Sequence, residues 1–373
     1  MHPLLDPEKQ TLARRYEKDK RWAGLLSGCF SFLLLLIIFF SGINERIVIS
    51  GGGSGPVITL RYLAILYSLL ALAGLIPDWY SGFILEKKWG FSNQTFRSWF
   101  GDEIKSFLVG LLLMPLLLGL LTAVMIMAPD YWWLIAGLAT ALIGVIFATL
   151  FPVLILPLFN KYRPMDDENL RQRLTRILAK GRLHASGFFI SDMSRQTKKE
   201  NAFLAGMGRT RRVVLGDNLL NNMSPEEIET VLAHEVGHHR DRHIWKNILL
   251  GTGQQIILFY LIHRILQAMF PVFTGSLIDT LTLMPAFLLA YGGLSTLLFG
   301  PLNLALSRYF ERQADDTALN LTCNPAAFQA AMAGLANRNL SNAYPAAWIK
   351  MLFYSHPPIG ERLEKARRFR PAV

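Results

Sequence analysis

Six apolar runs, at 22–43, 57–77, 106–127, 131–158, 247–270 and 281–300, limit what this chain of 373 residues can fold into. Each is long enough to cross the roughly 30 Å hydrocarbon core of a bilayer. Peptide groups there find no water, so each run must satisfy its hydrogen bonds internally, as a helix does. Only 17% of the residues are charged, against about 25% in a usual soluble domain. Cys29 and Cys323, the two cysteines, cannot form a disulfide framework and read as plain thiols, Cys29 within the lipid.

The charge distribution orients the runs. Net charge is +11, and every Lys and Arg except Arg46, Arg61 and Arg264 falls in segments 1–21, 78–105, 159–246 or beyond 300. If the chain starts inside and alternates, all of those lie on one side, which by the positive-inside rule is the cytoplasm. The basic excess is therefore a topology signal, and no nucleic-acid partner is expected. The basic leader and the long first run read as a signal anchor. Gly51–Gly55 read as a flexible outside loop.

These features divide the chain into four parts. Residues 1–158 are four membrane helices, 159–245 a polar region, 246–318 further membrane helices, and 319–373 a cytoplasmic helical tail. In the polar region, Leu170, Leu174, Ile177 and Leu178 give Asp166–Lys180 a helical stripe, closed by Gly181. Gly187–Ile190, Ala202–Leu204 and Val213–Leu215 read as short strands, with a turn at Gly208–Thr210. The expected fold is mainly α, a multi-span helical membrane protein with a small cytoplasmic α+β region.

That region holds His234-Glu235-Val236-Gly237-His238. Histidines four apart on a helix share a face, so both rings can reach one metal ion, and the glutamate beside the first sits next to a bound water. Ser224, Pro225 and Glu227 mark the start of this helix, which is expected to run on into the 247–270 span. Catalytic zinc takes three protein ligands and a water. A third histidine in H-E-x-x-H-x-x-G-x-x-H is disfavoured, because Asp241 stands where the glycine belongs. Glu311-Arg312-Gln313-Ala314-Asp315 offers the alternative. Glu311 would ligate, and Asp315, one turn on, would take the outer N–H of a ligand histidine. The pattern calls for one Zn²⁺ per chain and metal-assisted peptide hydrolysis with Glu235 as general base.

Four motifs occur in the order seen in the type I CAAX prenyl endopeptidases, integral-membrane zinc metalloproteases. They are His234–His238, Ser307–Asp315, Asn201-Ala202-Phe203, and Ser355-His356-Pro357-Pro358 with Arg362. The chain resembles that family over nearly its whole length. The resemblance implies a seven-helix barrel around a water-filled chamber, with the zinc at its cytosolic rim. It further implies that His356 stabilises the transition state and that Asn201 and Arg362 hold substrate backbone. Read alone, the strand beginning at Asn201 and Ala202 could take an extended peptide by edge addition. Asn201 equally suits a turn, and Arg362, on a basic helix, reads as a solvated or headgroup contact.

The remaining polar residues are assigned lesser parts. His239 and His243 read as surface groups. Gln254, Gln255, His263 and Arg264 lie in an apolar run, where polar side chains face a bundle interior or a water-filled cavity, although His263 and Arg264 could mark its outer end. Pro301 is expected to break the sixth run, leaving a seventh helix that carries Glu311. The expected partners are the bilayer and a peptide or protein substrate, membrane-associated or prenylated. The C-terminal residues hold no endoplasmic-reticulum retrieval signal, so a prokaryotic plasma membrane is the expected location. Membrane-protein quality control then competes with CAAX processing. An idle scaffold that retains the zinc site is the alternative from another class.

Overall fold

The computed structural model describes residues 2–50, 52–270 and 276–371. Gly51 of the glycine-rich loop and residues 271–275 between the last two apolar runs lie outside them. Six helices are long and apolar enough to cross a membrane. Four come first: α1 (Pro7–Phe40), α2 (Gly55–Lys88), α3 (Phe96–Met127) and α4 (Trp132–Phe159). After α5 (Glu168–Lys180) and α6 (Pro225–Arg240) in the polar region, α7 (His243–Met269) and α8 (Met284–Thr322) complete the set. Three helices follow among the described residues: α9 (Pro325–Arg338), a short one at Ala347–Phe353, and α10 (Ile359–Arg368).

The six long helices pack as a ring: α1 on α2, α2 on α3, α3 on α4, α4 on α7, α7 on α8, and α8 back on α1. The walls bury little of themselves. The most apolar stretch of Trp132–Phe159 is 0% buried. One core cluster, with Tyr62, Leu63, Trp132, Leu258, Ile262 and Phe287, closes one end of the ring. In it Trp132 Nε1 donates to His263 Nδ1 at 3.1 Å, so His263 is a buried partner of another helix and no mere end marker. The second core joins α5, α6, α8, α9, α10 and the sheet.

Pro301 does not break the sixth span. A π-helical turn at Ser295–Phe299 precedes it, and the helix runs on through Thr322. Proline removes one N–H donor and crowds the carbonyl one turn back; the widened turn accommodates both. Glu311 therefore stands on the same continuous helix as the sixth apolar run. Among the described residues there are six membrane-length helices, and no separate seventh.

The polar region carries one strand more than the sequence announces. Its sheet has the order β1–β2–β4–β3, with β1 Tyr162–Pro164, β2 Phe188–Ser191, β3 Ala202–Ala205 and β4 Arg212–Gly216. β3 is an edge strand, paired antiparallel to β4 alone. Arg308 is buried and ties α8 to the tail by donating from Nη1 to the carbonyls of Lys350 (3.1 Å) and Tyr354 (2.6 Å).

Candidate metal centre

The helix that carries the histidines is fixed at both ends. Ser224 Oγ accepts from the Glu227 N–H (3.3 Å), and Glu227 Oε2 accepts from the Ser224 N–H (2.7 Å), a reciprocal cap. Ile228, Leu232, Ala233 and Val236 enter the core, which leaves His234 and His238 on the face toward α8. The helix stops at Arg240 and does not run on into α7. Arg242 adopts a left-handed conformation (φ 57°) and turns the chain. Gly237 sets the helix–helix distance. A Cβ there would lie 2.7 Å from Ala314 Cα, so α6 and α8 touch backbone to backbone at the level of Glu311 and Asp315.

The three ligand candidates converge. His234 Nε2 lies 3.2 Å from His238 Nε2. Glu311 Oε2 is 3.2 Å from His234 Nε2, and Oε1 is 3.4 Å from His238 Nε2. All the ligating atoms fall within 4.8 Å of one another.

The outer ring nitrogens dictate what the inner ones present. Asp315 Oδ1 sits 3.0 Å from His234 Nδ1; the carboxylate accepts, so Nδ1 carries the hydrogen and Nε2 turns a lone pair inward. For His238 the argument takes two more steps. Gln313 Nε2 donates to Tyr309 Oη at 3.2 Å, which fixes the amide, and its Oε1 lies 3.0 Å from His243 Nε2. That nitrogen must donate, so His243 Nδ1 accepts from His238 Nδ1 at 3.0 Å. His238 Nε2 is left with its lone pair toward Glu311. Two lone pairs thus face a carboxylate whose Oε2 is buried without a hydrogen-bond donor. Such a donor set, two nitrogens and one oxygen, fits a dication of the zinc type. The same preference for positive charge acts on protons. Burial disfavours charged His234, yet Asp315 and Glu311 outweigh it and raise the imidazole to about 9.

The other expected residues surround this point. Glu235 follows His234 and is half-buried; desolvation lifts its carboxyl above the ordinary range against the pull of His234 and His238. His356 reaches Glu311 Oε1 with Nε2 at 3.3 Å, with 59% of its side chain still open. Arg362 is neither solvated nor at a headgroup. It is buried, and it clamps Asp315 through Nε (3.0 Å) and Nη2 (2.5 Å). Asn201 is exposed and its carbonyl accepts from Gly216 N at 3.0 Å; Ala202 is buried in β3.

Two residues read as surface groups are not. His243 is buried, stacked on Phe310 with ring centroids 4.5 Å apart. His239 Nε2 donates to the Leu204 carbonyl at 2.7 Å, and burial pushes that imidazole down to about 4. The bond ties α6 to the edge strand β3. Sequence reasoning also missed Gln313, although it lies inside the Glu311–Asp315 motif.

Comparison with known proteins agrees with this arrangement. A family model for the CAAX prenyl protease N-terminal region, five membrane helices, matches residues 1–161, and one for peptidase family M48 matches residues 164–370. A Bacillus subtilis protein, metalloprotease YhfN, is 26% identical over 98% of this chain and 87% of its own. A CAAX prenyl protease 1 homolog of Oryza sativa subsp. japonica is 32% identical over 82% of this chain and 72% of its own. The crystal structure of S. mikatae Ste24p superposes with a TM-score of 0.86 at 25% identity, covering 99% of this chain and 91% of that one. The chain belongs to peptidase family M48, and it is an integral, multi-pass membrane metalloendopeptidase.

Proposed function

We propose that the metal is zinc, one per chain, held by His234, His238 and Glu311, and that the reaction is hydrolysis of an internal peptide bond in a membrane-associated polypeptide. The observation that carries this is the inward pair of lone pairs opposite a buried, donorless carboxylate. When bound, zinc acts as a Lewis acid toward the scissile carbonyl and lowers the pKa of a water to about 7. The protein residues divide the remaining work. The Glu235 carboxylate, its pKa raised by burial, takes the water proton and delivers it to the leaving amine. His356, open to the site on one side, donates to the developing oxyanion. Asp315 holds His234 in its tautomer, and Arg362 holds Asp315. Arg362 Nη1 remains for a substrate carbonyl, and the outer edge of β3 at Ala202, next to Asn201, remains for an extended peptide, the Leu204 carbonyl being held by His239.

We place the N-terminus and the zinc on the cytoplasmic side, in a prokaryotic plasma membrane, because the basic segments all fall on that side. The division into 1–158, 159–245, 246–318 and 319–373 follows from the same topology. The names of the relatives point to CAAX substrates, and quality control of membrane proteins is the competing reading. Purified wild type should cleave a peptide library, while Glu235→Gln keeps its zinc and loses roughly 10²–10⁴ in rate. Cleavage by Glu235→Gln at the wild-type rate would remove the general base. Covalent or affinity capture of substrates on Glu235→Gln in membranes then decides between prenylated and unprenylated substrates.

A further inference from the structure

A cavity of about 430 Å³ opens from the metal centre between α7 and α8, starting at His238 and Glu311. Its walls are polar where the helices are otherwise apolar. Asn247, Gly251 and Gln254 line it from α7, and Asn303 and Ser307 line it from α8. Much of this polarity is unspent. Gln254 Nε2 donates to Asn303 Oδ1 at 2.8 Å, while the Asn247 amide and the Ser307 hydroxyl, which line the cavity, make no side-chain hydrogen bond among the described residues. Amides and hydroxyls left unmatched against hydrocarbon are strongly disfavoured. The groove is built for a ligand rich in hydrogen-bonding groups.

Its spacing says which ligand. Asn303, Ser307 and Glu311 recur every four residues on one face of α8, and Asn247 and Gly251 do so on α7, a rise of about 6 Å per step. An extended polypeptide repeats every second residue at about 6.6–6.8 Å. A strand laid along this groove would meet Asn303, Ser307 and Glu311 at successive repeats on α8, and its end would arrive at the candidate metal site. We infer that the α7–α8 groove is a subsite for the main chain of an extended substrate, binding several residues on one side of the scissile bond. This rests on the proposed peptidase reading and adds the path the substrate takes.

Gly251 supplies the test. A Cβ there meets nothing within 4 Å, so Gly251→Leu fills the groove without disturbing the helix. Gly253→Leu is the control: its Cβ is equally free, and Gly253 does not line the cavity. The probe is a fluorescein-labelled dodecapeptide, chosen as the best-cleaved or best-bound library member and read by anisotropy on zinc-loaded Glu235→Gln protein, so turnover plays no part. Gly251→Leu should weaken binding about tenfold and leave zinc content unchanged, while Gly253→Leu binds as the parent does. Truncating the peptide on one side of its cleavage site should abolish the difference, and N-methylation of alternate amides on that side should weaken binding with a two-residue period. Equal binding by Gly251→Leu, or equal loss with Gly253→Leu, overturns the subsite. A parent that binds the peptide as described but never cleaves it in the Glu235 form would overturn the peptidase reading and leave the groove standing.

Discussion

At the scale of single residues, the centre works through the groups behind its ligands. Asp315, His243 and Gln313 touch no metal position, yet they decide that both histidines turn a lone pair inward. His243→Phe keeps the stack on Phe310 and removes both nitrogens. Zinc affinity should fall about 10–100-fold with the fold unchanged, measured by chelator competition; unaltered affinity would show that His238 needs no such partner. The three ligand candidates and Asp315 were legible in the sequence because their spacing equals the helix period: His234 with His238, and Glu311 with Asp315. His243 was not. It reaches His238 only because the chain reverses at Arg242, and nothing in the pattern announces an arginine at positive φ. Arg362 was misplaced for a related reason. A basic helix reads as a wet one, and its burial depends on Asp315, which is 47 positions away.

Among the elements, the contact of α6 with α8 governs the site. Gly237→Ala would push a methyl into Ala314, and overpacking of this kind costs about 1–3 kcal/mol. The loss should appear as a lower unfolding temperature, together with reduced zinc content, because Glu311 retreats from the histidines. Retained stability and full zinc occupancy would show that the backbone contact is not needed. Ser224→Ala removes the helix cap and should lower stability by about 1 kcal/mol with zinc content unchanged, as followed by thermal unfolding. The start of α6 was readable because Ser224, Pro225 and Glu227 each bring their own local chemistry. The course of α8 was not, since proline alone signals a break and the compensating π turn at Ser295–Phe299 has no sequence signature. β1 escaped notice because three residues, one of them proline, carry too little pattern to register.

For the whole molecule, the ring of six helices places a small core at one end and the metal region at the other. The apolar runs made the helices legible, and the basic segments gave an orientation; closure of α8 onto α1 was beyond periodicity, which carries no information on which helices are neighbours. The native thiols can check the orientation. Cys323 is exposed just beyond α8, and Cys29 lies within α1. A membrane-impermeant maleimide should label Cys323 in inverted vesicles and leave it unlabelled in intact cells; labelling in intact cells would reverse the assigned sides. The whole arrangement comes to one point, where three side chains from two helices converge on the proposed zinc position. Metal analysis of purified wild type and Glu311→Ala, paired with an unfolding curve for each, examines that point directly. Wild type should carry about one zinc per chain, and Glu311→Ala, still folded, less than about a tenth of that. A wild-type protein without zinc, or a folded Glu311→Ala protein that keeps it, would contradict the centre described here.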